Sequence, residues 1–136
     1  MFQLEVRSHF SAAHAITIAR VVEPLHGHDW HVTVLIQGPR LDADGLLVDF
    51  HWVQAQLAEV IGPFHNQHLN AVPPFAGGLN PTAEHVARHI WQSLSDRLAT
   101  RSQNQPKDAL SAPLRVASVR VTEAVGCAAV YLAPAS

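Results

Sequence analysis

The chain has 136 residues, of which 48% are hydrophobic and 15% are charged, and its formal net charge is -2. This composition excludes a disordered chain, and the absence of a basic cluster argues against nucleic acid or an anionic membrane as a partner. The length predicts a single domain over residues 1–136.

Cys127 is the only cysteine, so no internal disulfide can form, which fits a reducing compartment. No apolar run approaches the roughly 20 residues of a membrane-spanning helix, and the N-terminal residues alternate and carry charge, unlike a signal peptide. The sequence therefore predicts a cytoplasmic protein. The unusual count is histidine, with ten residues, because imidazole is both a common metal ligand and a general acid or base.

The first half of the chain predicts two strands and a helix. Residues 2–13 contain stretches of polar and apolar alternation, and residues 28–37 are rich in β-branched and aromatic side chains, so each segment predicts a strand. The period then changes, because the apolar residues of 50–61 fall at helical spacing. Asp49 is the predicted cap of this helix, and Gly62-Pro63 is its predicted stop.

The second half predicts a helix and two more strands. The helix is predicted to begin at Asn80-Pro81, with the asparagine as cap and the proline in the first helical position. Residues 100–113 are polar and contain two prolines, which predicts a loop. Residues 114–124 and 127–133 predict the last strands. The order ββ, αα, ββ predicts an α+β fold, with an antiparallel sheet and two helices on one face.

Histidines mark the ends of the two predicted N-terminal strands. His26-Gly27-His28 leads into the second strand, and side chains two apart on a strand share a face, about 6.6 Å apart along it. An antiparallel neighbour would bring His14 beside this pair, whereas His31 is predicted to face the other side. Three histidine ligands that leave a fourth position open are typical of a catalytic zinc site. Such a pair also arises by chance among ten histidines, so the spacing alone leaves both interpretations open.

Six segments resemble the signatures of the 6-pyruvoyl-/6-carboxy-tetrahydropterin synthase family. In family order they are Phe10-Ser11-Ala12-Ala13-His14, Leu25-His26-Gly27-His28, Gly45-Leu46-Leu47-Val48-Asp49-Phe50, Leu69-Asn70, Asn80-Pro81-Thr82-Ala83-Glu84 and Val121-Thr122-Glu123-Ala124. The resemblance implies the T-fold, a ββααββ unit of which three close a barrel, with two trimers stacked into a homohexamer. It also implies that His14, His26 and His28 bind Zn2+ and that active sites lie between subunits.

The substrate that the resemblance implies is 7,8-dihydroneopterin triphosphate, whose side-chain oxygens bind zinc while protein bases remove carbon-bound protons. Glu123 matches the family glutamate that anchors the pterin, and a carboxylate can accept two parallel N–H bonds from the ring edge. It shares a strand face with Val119 and Val121 and is predicted to point inward, the alternative being an exposed strand end. Thr82 and Glu84 match the segment that lines the same pocket, although both also suit a helix start.

The residues that the family uses for proton transfer are changed in this chain. The family's cysteine base stands four residues before the first histidine of H-G-H, where this chain has Val22, and Cys127 lies on a different predicted strand. The family's Asp-His pair is replaced by His65-Asn66. His65 is a candidate second base, as is His68, and a surface histidine at a helix end is the alternative.

Glu23 offers a replacement for the cysteine. The segment from Glu23 to His28 reads E-x-x-H-G-H and is similar to a subgroup that has glutamate in place of cysteine and yields 6-hydroxymethyl-dihydropterin. A glutamate beside a zinc site acts as a general base when desolvation raises its pKa toward neutrality. A solvated loop residue is the alternative.

Three functions stay open at this point. The first is a zinc-dependent lyase, breaking a carbon–oxygen or carbon–carbon bond of 7,8-dihydroneopterin triphosphate or a close analogue. The second is an altered paralogue that binds zinc and a pterin or purine without the family reaction. The third is a hydrolase that uses zinc-bound water on an unrelated substrate. Glu23 favours the first function and the altered proton-transfer residues favour the second.

Overall fold

The structure is a computed structural model that describes residues 1–105 and 113–135. In chain order, its elements are β1 (Phe2–His14), β2 (Thr17–Ile18), β3 (Val21–Val22), β4 (His26–Gly38), α1 (Phe50–Ile61), β5 (Gln67–His68), α2 (Ala83–Gln103), β6 (Arg115–Ala124) and β7 (Cys127–Leu132). The six long elements follow the predicted order ββααββ. The strands β2, β3 and β5 are not predicted, because two residues are too few to show a period.

Five strands form one sheet in the order β5-β1-β4-β6-β7. β1 and β4 are antiparallel along their whole length, from Phe2 opposite Gly38 to His14 opposite His26. β4 with β6 and β6 with β7 are also antiparallel, and the two-residue β5 pairs in parallel with β1. β2 and β3 form a separate hairpin between the two long strands. This register determines which histidines meet.

Both helices pack on one face of the sheet, as predicted. Alternate residues of β1, β4 and β6 point toward the helices, and Phe10, Trp30 and Val121 among them are completely buried. Leu57 of α1 and Ile90 of α2 are their buried counterparts in the same apolar cluster. Each large side chain buried in this way contributes roughly 1.5–3 kcal/mol relative to exposure.

The start of α1 confirms the predicted cap, whereas the start of α2 corrects one. The Asp49 carboxylate accepts a hydrogen bond from the backbone N–H of His51 at 2.8 Å. In α2 the cap is Thr82, whose hydroxyl accepts from the backbone N–H of His85 at 3.1 Å. Asn80 is not the cap because its side-chain amide binds the backbone of Thr17 instead.

The end of α2 corrects the predicted loop over 100–113. The helix continues through Gln103, and Arg101 lies over the ring of Trp52, 5.1 Å from the ring centroid. Polar residues are tolerated there because the exposed side of a helix needs no apolar side chains. The rest of that predicted loop, 106–112, lies outside the described residues. Neither helix in the described ranges is long and apolar enough to cross a membrane.

Candidate metal centre

Three histidines converge where the paired ends of β1 and β4 meet. His14 lies directly opposite His26, and His28 is two residues further along β4 on the same face. One nitrogen from each ring lies within 4.8 Å of the others, and the ring centroids are 4.7–5.1 Å apart. The structure therefore brings together the three residues whose spacing predicts a metal site.

Two backbone carbonyls determine the proton positions on two of these rings. His14 Nδ1 lies 2.8 Å from the carbonyl oxygen of Pro81, and His26 Nδ1 lies 2.8 Å from that of Pro24. A carbonyl can only accept, so each Nδ1 carries the proton and each Nε2 presents its lone pair. Metal-binding histidines typically donate their other N–H to such an acceptor, which fixes the ring.

Two ring nitrogens of the three histidines are buried without a protein partner in the described ranges. His14 Nε2 and His28 Nε2 are buried and make no hydrogen bond among the described residues. Burial lowers the pKa of His14 from its ordinary value of 6.5, despite opposing contributions from the Pro81 carbonyl and Glu123. The ring is therefore held in the neutral form that a metal requires. Unpartnered imidazole nitrogens that meet at one point fit a zinc ion.

Trp30 forms an apolar wall beside the histidines. Its buried ring stands edge-on to His14 with 4.8 Å between ring centroids, and the distance to His28 is 5.8 Å. The indole N–H donates to the carbonyl of Ala12 at 3.1 Å, which fixes the ring. This wall restricts water on the core side, and charge interactions are stronger where water is restricted.

Glu123 reaches the histidines from β6. Its Oε2 lies 3.6 Å from His14 Nε2, and this oxygen is buried and has no hydrogen-bond partner among the described residues. The side chain as a whole is 26% exposed, so one part of the carboxylate remains open to a ligand. The predicted inward orientation of Glu123 is therefore correct.

The other predicted site residues lie in loops and at the start of α2. Glu23 follows β3, is half-buried, and its backbone N–H donates to the carbonyl of Ile16 at 2.8 Å. His65 is exposed, and its Nδ1 accepts from the backbone N–H of Ser11 at 3.2 Å. Thr82 caps α2 as described, and Glu84 is exposed in the first turn of that helix.

Two asparagines near the histidines have a role that the sequence did not predict. The Asn70 amide accepts from the Ala15 N–H at 2.9 Å and donates to the carbonyl of the same residue at 2.8 Å. Asn80 forms the equivalent pair with Thr17, at 3.0 and 2.9 Å. Together they hold the backbone that leaves His14 and enters the β2–β3 hairpin. The only signal in the sequence is that both asparagines lie in family motifs.

Fold and site together define a T-fold protein with a candidate three-histidine metal centre. The chain also matches the family model of 6-pyruvoyl tetrahydropterin synthase over residues 3–134. It therefore belongs to the 6-pyruvoyl tetrahydropterin synthase family, whose members are lyase-type enzymes of pterin metabolism.

Individual relatives agree with this assignment. The 6-carboxy-5,6,7,8-tetrahydropterin synthase of Bacillus subtilis is 32% identical over 110 residues, which cover 77% of this chain and 73% of that protein. The structure of 6-pyruvoyl tetrahydropterin synthase from Caenorhabditis elegans has a TM-score of 0.74 at 16% identity, covering 98% of this chain and 96% of the other.

A Plasmodium vivax 6-pyruvoyltetrahydropterin synthase, solved with a catalytic glutamate replaced by alanine, has a TM-score of 0.73 at 17% identity. It covers 96% of each chain. At these identities the two structural likenesses establish the shared fold.

Proposed function

We propose that this chain is a zinc-dependent lyase that acts on 7,8-dihydroneopterin triphosphate or a close analogue, breaking a carbon–oxygen or carbon–carbon bond. 6-Hydroxymethyl-dihydropterin is the candidate product. The observation that carries the proposal is the meeting of buried, unpartnered atoms: His14 Nε2, His28 Nε2 and Glu123 Oε2. Buried polar atoms are ordinarily paired, so these atoms are suited to ligands that arrive from outside the chain.

The three histidines would hold the zinc. When bound, zinc supplies Lewis-acid polarisation of the substrate oxygens that it contacts. The protein's own part is to keep the His14 and His26 rings oriented through the Pro81 and Pro24 carbonyls. Trp30 keeps water away from the core side of the rings.

Glu123 would anchor the pterin beside the metal. A carboxylate accepts two parallel N–H bonds from a 2-amino-pyrimidinone edge, and charge-assisted bonds of this kind are strong. The carboxylate is near His14 without a hydrogen bond to it, so its acceptor sites are free for the ligand. Thr82 and Glu84 would line the same pocket, since Pro81, which precedes them, contacts His14 directly.

Glu23 would be the general base. The hydrogen bond from its N–H to Ile16 fixes its backbone, and Pro24, the next residue, accepts from the His26 ring. The main chain that carries this carboxylate is therefore tied to a metal ligand. The Plasmodium vivax enzyme, which shares the fold, also has a catalytic glutamate. His65 would be the second proton-transfer residue, but as a proton donor and not as the predicted second base. Its Nδ1 already accepts from Ser11, so its neutral ring carries the proton on Nε2.

The test is incubation with 7,8-dihydroneopterin triphosphate and identification of products by mass spectrometry. Glu23→Gln keeps the size of the side chain but removes the base, so kcat should fall about 10²–10⁴-fold. Zinc content and pterin binding should stay near the wild-type level. Glu123→Ala should show the opposite pattern, with pterin binding lost and zinc retained. Glu5→Gln, which changes a carboxylate on β1, is the matched control and should leave kcat unchanged.

An altered paralogue that binds zinc and a pterin or purine without turnover is the second candidate. Two observations favour it: Val22, at the family's cysteine position, is an exposed residue without a titratable group, and His65 is engaged with Ser11. If the wild type binds pterin but forms no product, and Glu23→Gln behaves identically, the lyase proposal fails and this candidate replaces it.

Lyase activity should also resist thiol-alkylating reagents. Cys127 is the only cysteine of the chain, and it is exposed on β7. We expect iodoacetamide to add a single carbamidomethyl group, visible by intact-mass spectrometry, while kcat is unchanged. A loss of activity that parallels this modification would mean that the thiol takes part in the reaction.

A further inference from the structure

We propose a second metal site on the helix-free face of the sheet, formed by His9 and His31 and suited to a divalent ion such as Zn2+. His9 of β1 and His31 of β4 are direct partners in the antiparallel register. Both are exposed, and their ring centroids are 5.8 Å apart with 34° between the ring planes. The site is separate from the candidate metal centre because neighbouring residues on a strand alternate between faces.

The separation of these rings suits a shared ion. The centroids in the three-histidine centre are 4.7–5.1 Å apart, so the pair is only slightly wider. Neither ring of the pair has a hydrogen-bond partner among the described residues, so rotation toward an ion breaks no bond. Imidazole is a preferred ligand of zinc, copper and nickel, which defines the chemical class of the ion.

The charged side chains around the pair have both signs, with Asp29 on β4, Arg7 on β1 and Arg120 of β6 opposite Thr33. Asp29 lies two residues before His31 on the same face, and its carboxylate accepts from the Ser11 hydroxyl at 2.5 Å. The nearest cation along β1, Arg7, is paired with Glu5 at 3.0 Å, which reduces its repulsion of a bound ion. With two protein ligands, the remaining coordination positions belong to water. Ions should therefore exchange more readily at this site than at the three-histidine centre.

Zinc alone is the probe that tests this site. Protein already loaded at the three-histidine centre is titrated with further zinc and followed by isothermal calorimetry. The wild type should show an additional binding event that disappears in His9→Gln and in His31→Gln. His51→Gln is the matched control, since that ring is 91% exposed and far from the pair in the chain, and it should keep the event.

Two results would overturn the proposal: no additional event in the wild type, or an additional event that persists in both His9→Gln and His31→Gln. Persistence would mean adventitious zinc binding elsewhere. Zinc-edge anomalous diffraction from zinc-soaked crystals gives a second measurement, with a peak expected between the His9 and His31 rings. Circular dichroism melting checks that both variants fold. The outcome does not depend on whether the protein turns over a pterin.

Discussion

The residues of the candidate metal centre differ in how the fold holds them. His14 is completely buried and bonded to Pro81, whereas His26 and His28 are partly exposed on β4. His31 lies on the same strand but on the opposite face. Substitution of His14, His26 or His28 should therefore weaken metal binding at this centre. Substitution of His31 should not.

The first prediction concerns tightly bound zinc. After gel filtration, the protein should carry about one zinc per chain, as a three-histidine site requires. His26→Ala and His28→Ala should lose this zinc, and His14→Ala should lose it too. His31→Ala should retain it, since only the weaker site on the other face is changed. Inductively coupled plasma mass spectrometry gives the stoichiometry. Equal loss in His31→Ala would refute the assignment of faces, and full occupancy in His14→Ala would remove the third ligand.

The convergence of the three histidines could be predicted from the sequence, but the groups that orient their rings could not. The spacing of His26 and His28 and the position of His14 at a strand end are local features. The Pro81 and Pro24 carbonyls are backbone atoms, which every residue has, so no residue type marks them. The contact between His14 and Pro81 joins residues 67 positions apart, and only the folded chain brings them together.

A second prediction at the residue scale concerns His89. Burial lowers its pKa below the ordinary value of 6.5, and its ring packs against Phe64 with 5.5 Å between centroids. The unfolded state then binds the proton more tightly, so this contribution to stability is complete above pH 6.5 and is lost as the pH falls. With metal removed by chelator, His89→Gln should show a smaller decrease in unfolding free energy below pH 6.5 than the wild type. His51→Gln is the exposed control. Identical pH slopes for His89→Gln and the wild type would contradict the prediction.

At the scale of elements, the β2–β3 hairpin is tied to the body of the protein by Asn70 and Asn80. Each amide forms two hydrogen bonds with the backbone of one residue, as a neighbouring strand would. The sequence suggested a helix cap for Asn80 because Asn, Pro and Thr all occur at helix starts. Its partner, Thr17, is 63 residues away, so no local pattern could indicate it.

Asn70→Ala should therefore destabilise the protein. It removes two part-buried hydrogen bonds to the backbone of Ala15, each of which contributes about 0.5–1.5 kcal/mol. Urea unfolding at fixed zinc concentration gives the change in free energy. Hydrogen exchange should be faster at the Ala15 amide. Gln54→Ala, on the exposed side of α1, is the control and should have a much smaller effect. Unchanged exchange at Ala15 would show that the amide does not hold this segment.

At the scale of the whole molecule, the chain leaves two sheet edges to be covered. Along β1, the outer edge is paired with β5 only at Ala12 and Ala13 within the described residues. At the other edge, β7 exposes Val130 and Leu132, which are 49% and 67% exposed. Unpaired edges with apolar side chains invite pairing with another chain. The sequence predicts the strands, but which of them lie at the edges follows only from the strand order.

The family assembly, a homohexamer built from two barrels of three chains each, would cover these edges. Light scattering should then give a mass about six times the 14.8 kDa of one chain at micromolar concentration. Val130→Lys combined with Leu132→Lys should shift the mass toward smaller species, because charged side chains on an edge strand, lysine above all, oppose its pairing with another chain. Both side chains are exposed in the single chain, so the variant should still fold. Ala58→Lys, on the exposed side of α1, should leave the mass unchanged. A wild-type monomer would contradict the barrel, and an unchanged mass in the double variant would place the contact elsewhere.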